Sequence, residues 1–211
     1  MSDLTNRLSS DLTPVSPWQL PRRLLLGLGV GLAVSIGLVL AVLGPRPDMA
    51  HAVHTPMFWV KLLYPLSLVL IAGLAAERLA RPAGSARTRL PWLVLPLALV
   101  FALALIEFIP ASPAARHAML MGGSSRVCPF LVLAAAVPPL AGLIWAMRGL
   151  APTRLGAAGT VIGIVAGGAG AFAYSWHCTE TGAPFLAVWY TLGMAAAALL
   201  GFLLGPRILR W

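Results

Sequence analysis

The chain has little charge. Asp, Glu, Lys and Arg together supply 10% of its 211 residues, whereas a soluble domain carries about 25%. So few charges cannot clothe a globule in water, which excludes an ordinary soluble domain. Acidic side chains are the scarcer sign, six against fifteen basic ones. The basic excess does not point to nucleic acid, because the arginines gather at the ends of apolar runs and form no single stripe or face. Cysteine is nearly absent, with two in the chain. They form no C-x-x-C, so the electron relay of a membrane disulfide-forming enzyme has no residues to run through. There is also no H-E-x-x-H, no G-x-S-x-G and no P-loop. Nothing in the sequence asks for an enzyme.

What the chain does have is apolar length, 59% hydrophobic residues. A hydrocarbon core about 30 Å thick needs roughly 20 apolar residues as helix. Six such spans are predicted, from about Arg23 to Leu43, Phe58 to Leu79, Leu90 to Ile109, Cys128 to Met147, Leu155 to Trp176 and Pro184 to Leu204. The first is long enough to remain as a span, and no small-residue cleavage site follows it, so it does not read as a signal peptide. The expected fold is an all-α membrane protein of six transmembrane helices. Residues 1–21 form a short cytoplasmic head and residues 22–211 the transmembrane domain.

Orientation follows from the arginines. Arg7, Arg22, Arg23, Arg78, Arg81, Arg87, Arg89, Arg148, Arg154, Arg207 and Arg210 fall on one side, and Arg46, Arg116 and Arg126 on the other. The positive-inside rule then puts both termini in the cytoplasm. Trp59, Trp92, Trp145, Trp176 and Trp211 fall near span ends, as an interfacial aromatic belt requires. Gly159, Gly163 and Gly167 lie at four-residue steps in the fifth span, a face that lets backbones approach closely. That helix is expected at the centre of the bundle. Gly27, Gly31 and Ser35 make a similar small stripe in the first span. Pro65, Pro96, Pro138 and Pro139 lie inside spans, where neighbours must re-satisfy the freed carbonyls.

Four positions carry candidate chemistry. Lys61 and Glu107 are the charges well inside a span. Both are expected near the outer end, and an interhelical ion pair is the plainer reading; a small transporter using the two is the alternative. Cys128, in "SRVCPFL", and Cys178, in "SWHCTETG", are expected outside and level across a helical hairpin. A static disulfide, a reactive thiol pair, and a zinc or other metal site using Cys128, Cys178 and His177 compete there. No other cofactor is called for. In the head, Leu4, Leu8 and Leu12 recur at four-residue steps before Pro14 and Val15, which makes one face of a short helix. With Asp3 and Asp11 against Arg7, that face suits a protein groove better than a lipid surface.

The pieces also combine into a familiar whole. "DLTNRLSSDLTPV" in the head, "LGPRPD" after the first span, "FWVKL" opening the second, "RVCPF" opening the fourth, "RGLAPTR" before the fifth, "HC" after it, and "APFLAVWYTLGM" running into "LLGPRILRW" resemble the NrsF family of bacterial membrane anti-sigma factors over nearly the full length. The resemblance implies a protein of the bacterial inner membrane that holds an extracytoplasmic-function (ECF) sigma factor inactive, touching no nucleic acid itself, until envelope or oxidative stress releases it. It implies sigma-factor binding by Leu4, Leu8, Asp11, Leu12, Pro14 and Val15, and signal sensing by Cys128 and Cys178 with His177 beside them. Loops Arg78 to Arg89 and Arg148 to Arg154 would add to the sigma-factor contact.

Overall fold

The computed structural model describes residues 18–81, 84–150 and 152–210. In chain order these form α1 (Gln19–Val42), a single turn α2 (Met49–Ala52), α3 (Pro56–Leu79), a 3-10 turn (Leu90–Leu93) leading into α4 (Val94–Phe108), α5 (Pro113–Met121), α6 (Cys128–Arg148), α7 (Leu155–Tyr174), a short α8 (Ala183–Phe185), a π-helical stretch (Leu186–Tyr190) and α9 (Thr191–Ile208). The fold is all-helical, with no strand among the described residues. Six of its helices are long and apolar enough to cross a membrane. Their outer faces are apolar as well: Leu25, Val30 and Leu38 of α1 and Leu95, Leu99 and Ile106 of α4 are exposed. A molecule with greasy residues both inside and outside is compatible with a lipid surround.

The fifth predicted span, α7, is the centre. In its most apolar stretch 67% of residues are buried, against 17% for Leu90–Phe108. Its small residues serve three neighbours. A Cβ on Gly159 would strike the backbone carbonyl of Gly201 on α9, and one on Gly201 would strike that of Gly159. On other faces Gly168 meets Pro65 of α3, and Gly170 meets Ala136 of α6. The stripe Gly27, Gly31 and Ser35 of α1 is buried, and its glycines lie against Gly142 and Pro139 of α6.

The in-span prolines lack an N–H, so each frees the carbonyl four residues earlier. Pro139 frees that of Ala135, which accepts the Ser35 hydroxyl at 2.7 Å. Pro65 frees that of Lys61, which lies 3.3 Å from the Ser175 hydroxyl and shares its one proton with the nearer Ala171 carbonyl at 2.8 Å. Ser35 therefore re-satisfies the first kink and Ser175 part of the second, as a water-poor surround demands.

The two ends of the bundle differ. At one end the Arg23 guanidinium lies 4.8 Å from the Trp145 ring, and Arg148 donates to the Ile208 carbonyl at 2.8 Å. The opposite end holds both cysteines.

Candidate functional site

The cysteine end is organised around the segment that follows α7. Ser175 continues the last turn of α7 by donating its hydroxyl to the Ala171 carbonyl at 2.8 Å. From there residues 176–183 run across the end of the bundle and are bonded by four other elements.

Lys61, on the second turn of α3, is buried with 2% of its surface exposed. Its ammonium donates to the carbonyls of Cys178 at 2.9 Å and Glu180 at 2.5 Å and lies 5.5 Å from the Tyr190 ring centre. Glu180 reaches the other way. Its carboxylate accepts from the Gly123 N–H at 2.8 Å and the Ser124 hydroxyl at 3.0 Å. The chain passes that carboxylate at Gly122, whose φ of +52° and whose missing Cβ are both needed there. Glu107, on α4, accepts the Ala183 N–H at 2.9 Å, at the first turn of α8, where an anion also faces the free N–H groups of a helix start.

The loop after α1 supplies the fourth attachment. The Arg46 N–H donates to the Trp176 carbonyl at 3.0 Å, and His177 Nδ1 lies 2.9 Å from the Gly44 carbonyl. A carbonyl only accepts, so this Nδ1 carries the proton. The Arg46 side chain grips both oxygens of Asp48 at 2.7 Å beside the Phe58 ring. That charge-assisted grip holds the Asp48 carboxyl below the usual carboxylate range and raises Arg46.

Cys128 opens α6, and Cys178 lies in the crossing segment. Both thiols are free and almost fully buried, at 0% and 3% exposure. They belong to one apolar cluster with Tyr64, Val132, Tyr174, Phe185, Tyr190 and Met194. The rings of Tyr174 and Tyr190 meet at a tilt of 42°, 5.9 Å apart between centres. The Tyr190 hydroxyl is buried with no hydrogen-bond partner among the described residues. The two thiols therefore share one pocket of packed side chains at one end of the molecule. Among the described residues no three His, Cys, Asp or Glu side chains come together to hold a metal ion, and His177 is engaged with Gly44.

One expectation is corrected. Lys61 and Glu107 do lie at the same end, but they do not form an ion pair. Each binds backbone of the same crossing segment, Lys61 the carbonyls of Cys178 and Glu180, Glu107 the N–H of Ala183. The reason is local: a segment without secondary structure leaves carbonyls and N–H groups free, and a buried ammonium or carboxylate satisfies them. Glu180, Ser175 and Arg46 were missed from the sequence as members of this site. The proline four residues after Lys61 was the available signal for a carbonyl needing a donor. No comparable signal marks Glu180. The head residues Leu4, Leu8, Asp11, Leu12, Pro14 and Val15 lie outside the described residues.

The family model described as "Negative regulator of sigma F" (NrsF) matches residues 8–211. The Anti-sigma-F factor NrsF of Caulobacter vibrioides (strain NA1000 / CB15N) is 42% identical, covering 99% of this chain and 98% of its own. The Probable anti-sigma-F factor NrsF of Azospira oryzae (strain ATCC BAA-33 / DSM 13638 / PS) is 37% identical, again covering 99% and 98%. No solved structure matches.

Proposed function

The chain belongs to the NrsF family of negative regulators of sigma F, and from that premise we propose that it is a non-catalytic, membrane-bound anti-sigma factor that sequesters an ECF sigma factor and releases it when Cys128 and Cys178 meet an oxidative or envelope signal. The observation that carries the sensing half is the shared burial of both thiols, in a cluster clamped by a segment that α3, α4 and two loops all bond. Cys178 lies on that segment and Cys128 packs in the same cluster beneath it, and α7 leads from the segment to the opposite end.

The arginine-rich end is the cytoplasmic one in this proposal, by the positive-inside rule. The head, with Leu4, Leu8, Asp11, Leu12, Pro14 and Val15, then faces the cytoplasm together with the loops around Arg78 to Arg89 and Arg148 to Arg154. The thiols face outward, where a disulfide persists once formed. Closing it removes two electrons and two protons, which an external oxidant accepts. Shifting a sigma-bound state from 99:1 to 1:99 needs about 5.5 kcal/mol of differential stabilisation. A disulfide contributes roughly 2–4 kcal/mol, so thiol chemistry would move the balance part of the way and packing changes the rest.

Two experiments test the two halves. A pull-down of the sigma factor by full-length protein should be lost on changing Leu8 and Leu12 to Asp; retained binding would remove the head from the interface. Sigma-dependent transcription in a strain carrying Cys128→Ser and Cys178→Ser should no longer respond to oxidant. An unchanged response would end the thiol-sensor reading while leaving the anti-sigma role intact.

A further inference from the structure

α1 and α3 lie side by side on the arginine-rich half of the bundle yet barely touch. Between them a groove of about 490 Å³ opens, walled by Leu24 and Leu28 of α1 and by Leu70 and Gly73 of α3, with Leu143 of α6 and Val165 of α7 as its floor. That volume lies within the usual range of small-molecule sites, roughly 300–1,000 Å³. The wall is apolar along its length. Only at the mouth, beside Pro21, does it turn polar, where Glu77 lines it. Arg22 follows Pro21 and Arg78 follows Glu77, and both are exposed. Glu77 itself is neutralised by Arg81, whose guanidinium is 3.0 Å away.

The fitting occupant is apolar over the depth of the groove and negative at the end that meets the arginines. It also enters sideways, between two helices whose exposed faces are Leu and Val. We propose that the groove between α1 and α3 binds one acyl chain of a bilayer phospholipid with an anionic headgroup, which rests on Arg22 and Arg78. Basic pockets between membrane helices take anionic headgroups by the same logic. An empty groove of this size would forfeit the dispersion contacts of its lining, so lipid completes the packing of α1 on α3. The proposal rests on reading the six helices as membrane spans.

The test uses the full chain purified in mild detergent, incubated with phosphatidylglycerol or phosphatidylethanolamine, and observed by native mass spectrometry. The wild type should retain one phosphatidylglycerol in preference to phosphatidylethanolamine, by about fivefold for each arginine engaged. Gly73→Leu should lose that bound lipid. A Cβ at Gly73 meets nothing within 4 Å, so this change fills the groove without striking backbone, and an unaltered thermal unfolding curve would show that the fold is kept. Arg22→Gln with Arg78→Gln should abolish the preference for the anionic lipid but not the binding of either. Equal phosphatidylglycerol retention in wild type and Gly73→Leu would overturn the site. So would a lipid-free dimer that Gly73→Leu disrupts, which would assign the groove to a second copy. A chain that stays folded and monodisperse without detergent would instead overturn the membrane reading on which the site rests.

Discussion

Lys61 is a buried cation with no carboxylate partner among the described residues, and its ammonium is satisfied by main-chain carbonyls of Cys178 and Glu180. Truncating it to Met keeps the aliphatic length but leaves both carbonyls unpaired. We expect Lys61→Met to cost about 1–3 kcal/mol, the penalty for orphaning buried polar groups, and to raise the labelling rate of Cys178 by a small maleimide. A labelling rate equal to wild type would show that the ammonium does not hold the segment. Ser35 offers a sharper case, because its bond to Ala135 exists to serve a carbonyl that Pro139 leaves free. Ser35→Ala should cost about 1 kcal/mol in thermal unfolding. In a Pro139→Ala background the restored N–H serves Ala135, so the same change should cost almost nothing. Additive costs in that double-mutant cycle would refute the pairing of serine with proline. Asp48 adds a pH signature. Its carboxyl is held low by Arg46, so the stabilisation from the pair is complete above the ordinary carboxylate pKa of about 3.9. It is lost as pH falls through the lowered value. Protection of the loop after α1 against proteolysis should therefore fall in acid below about pH 4, and Asp48→Asn should lack that step.

At the scale of elements, α7 owes its central place to what its side chains omit. Backbone meets backbone where Gly159 faces Gly201, a contact that replaces hydrophobic drive with close van der Waals approach. Gly159→Val should push α9 away and destabilise by about 1–3 kcal/mol or more, as overpacking does. Gly29→Ala makes the contrasting control. Nothing lies within 4 Å of a Cβ there, so stability should hold or rise slightly through helix propensity. Unfolding of the two variants in one detergent decides the point, and equal effects would mean that the glycines mark composition rather than contact. α4 behaves differently. It is the least buried span, and its end on the cysteine side is tied down by Glu107 to Ala183 and by Arg116, which donates to the Phe108 and Ile109 carbonyls. Polar clamps at one end do for α4 what glycine packing does for α7.

The molecule as a whole is a bundle with two unlike ends, one set with arginines and one holding both thiols. A single cysteine introduced at exposed Thr179, within the crossing segment, or at exposed Ser85, between α3 and α4, in a Cys128→Ser, Cys178→Ser background tests the proposed orientation. A membrane-impermeant maleimide should label Thr179→Cys on intact cells and leave Ser85→Cys untouched until the cells are opened. The reverse pattern would invert the topology and place the thiols in the reducing compartment. The crossing segment bonds to α3, α4 and the loops after α1 and α5 through Trp176, His177, Cys178, Glu180 and Ala183; of these contacts the one made by Cys178 itself is to α3.

Much of this was legible in the linear chain. Six runs of apolar residues, each long enough for a bilayer, determined six long helices, because backbone groups without water must bond within a helix. The four-residue spacing of small residues determined which faces are buried in α1 and α7, since the helical period alone assigns residues to faces. Arginine placement determined that the two ends differ. Partners were another matter. That Ser35 serves Ala135, that Lys61 binds the carbonyl of Cys178 rather than the carboxylate of Glu107, and that Glu180 pins the loop after α5 all depend on where an irregular segment lies across the end of the bundle. Its route is set by contacts between residues more than fifty positions apart, with no period to announce them. Only the tertiary structure decided it, because an unpaired backbone group takes whichever donor or acceptor packing brings within 3 Å, and packing is a property of the whole bundle.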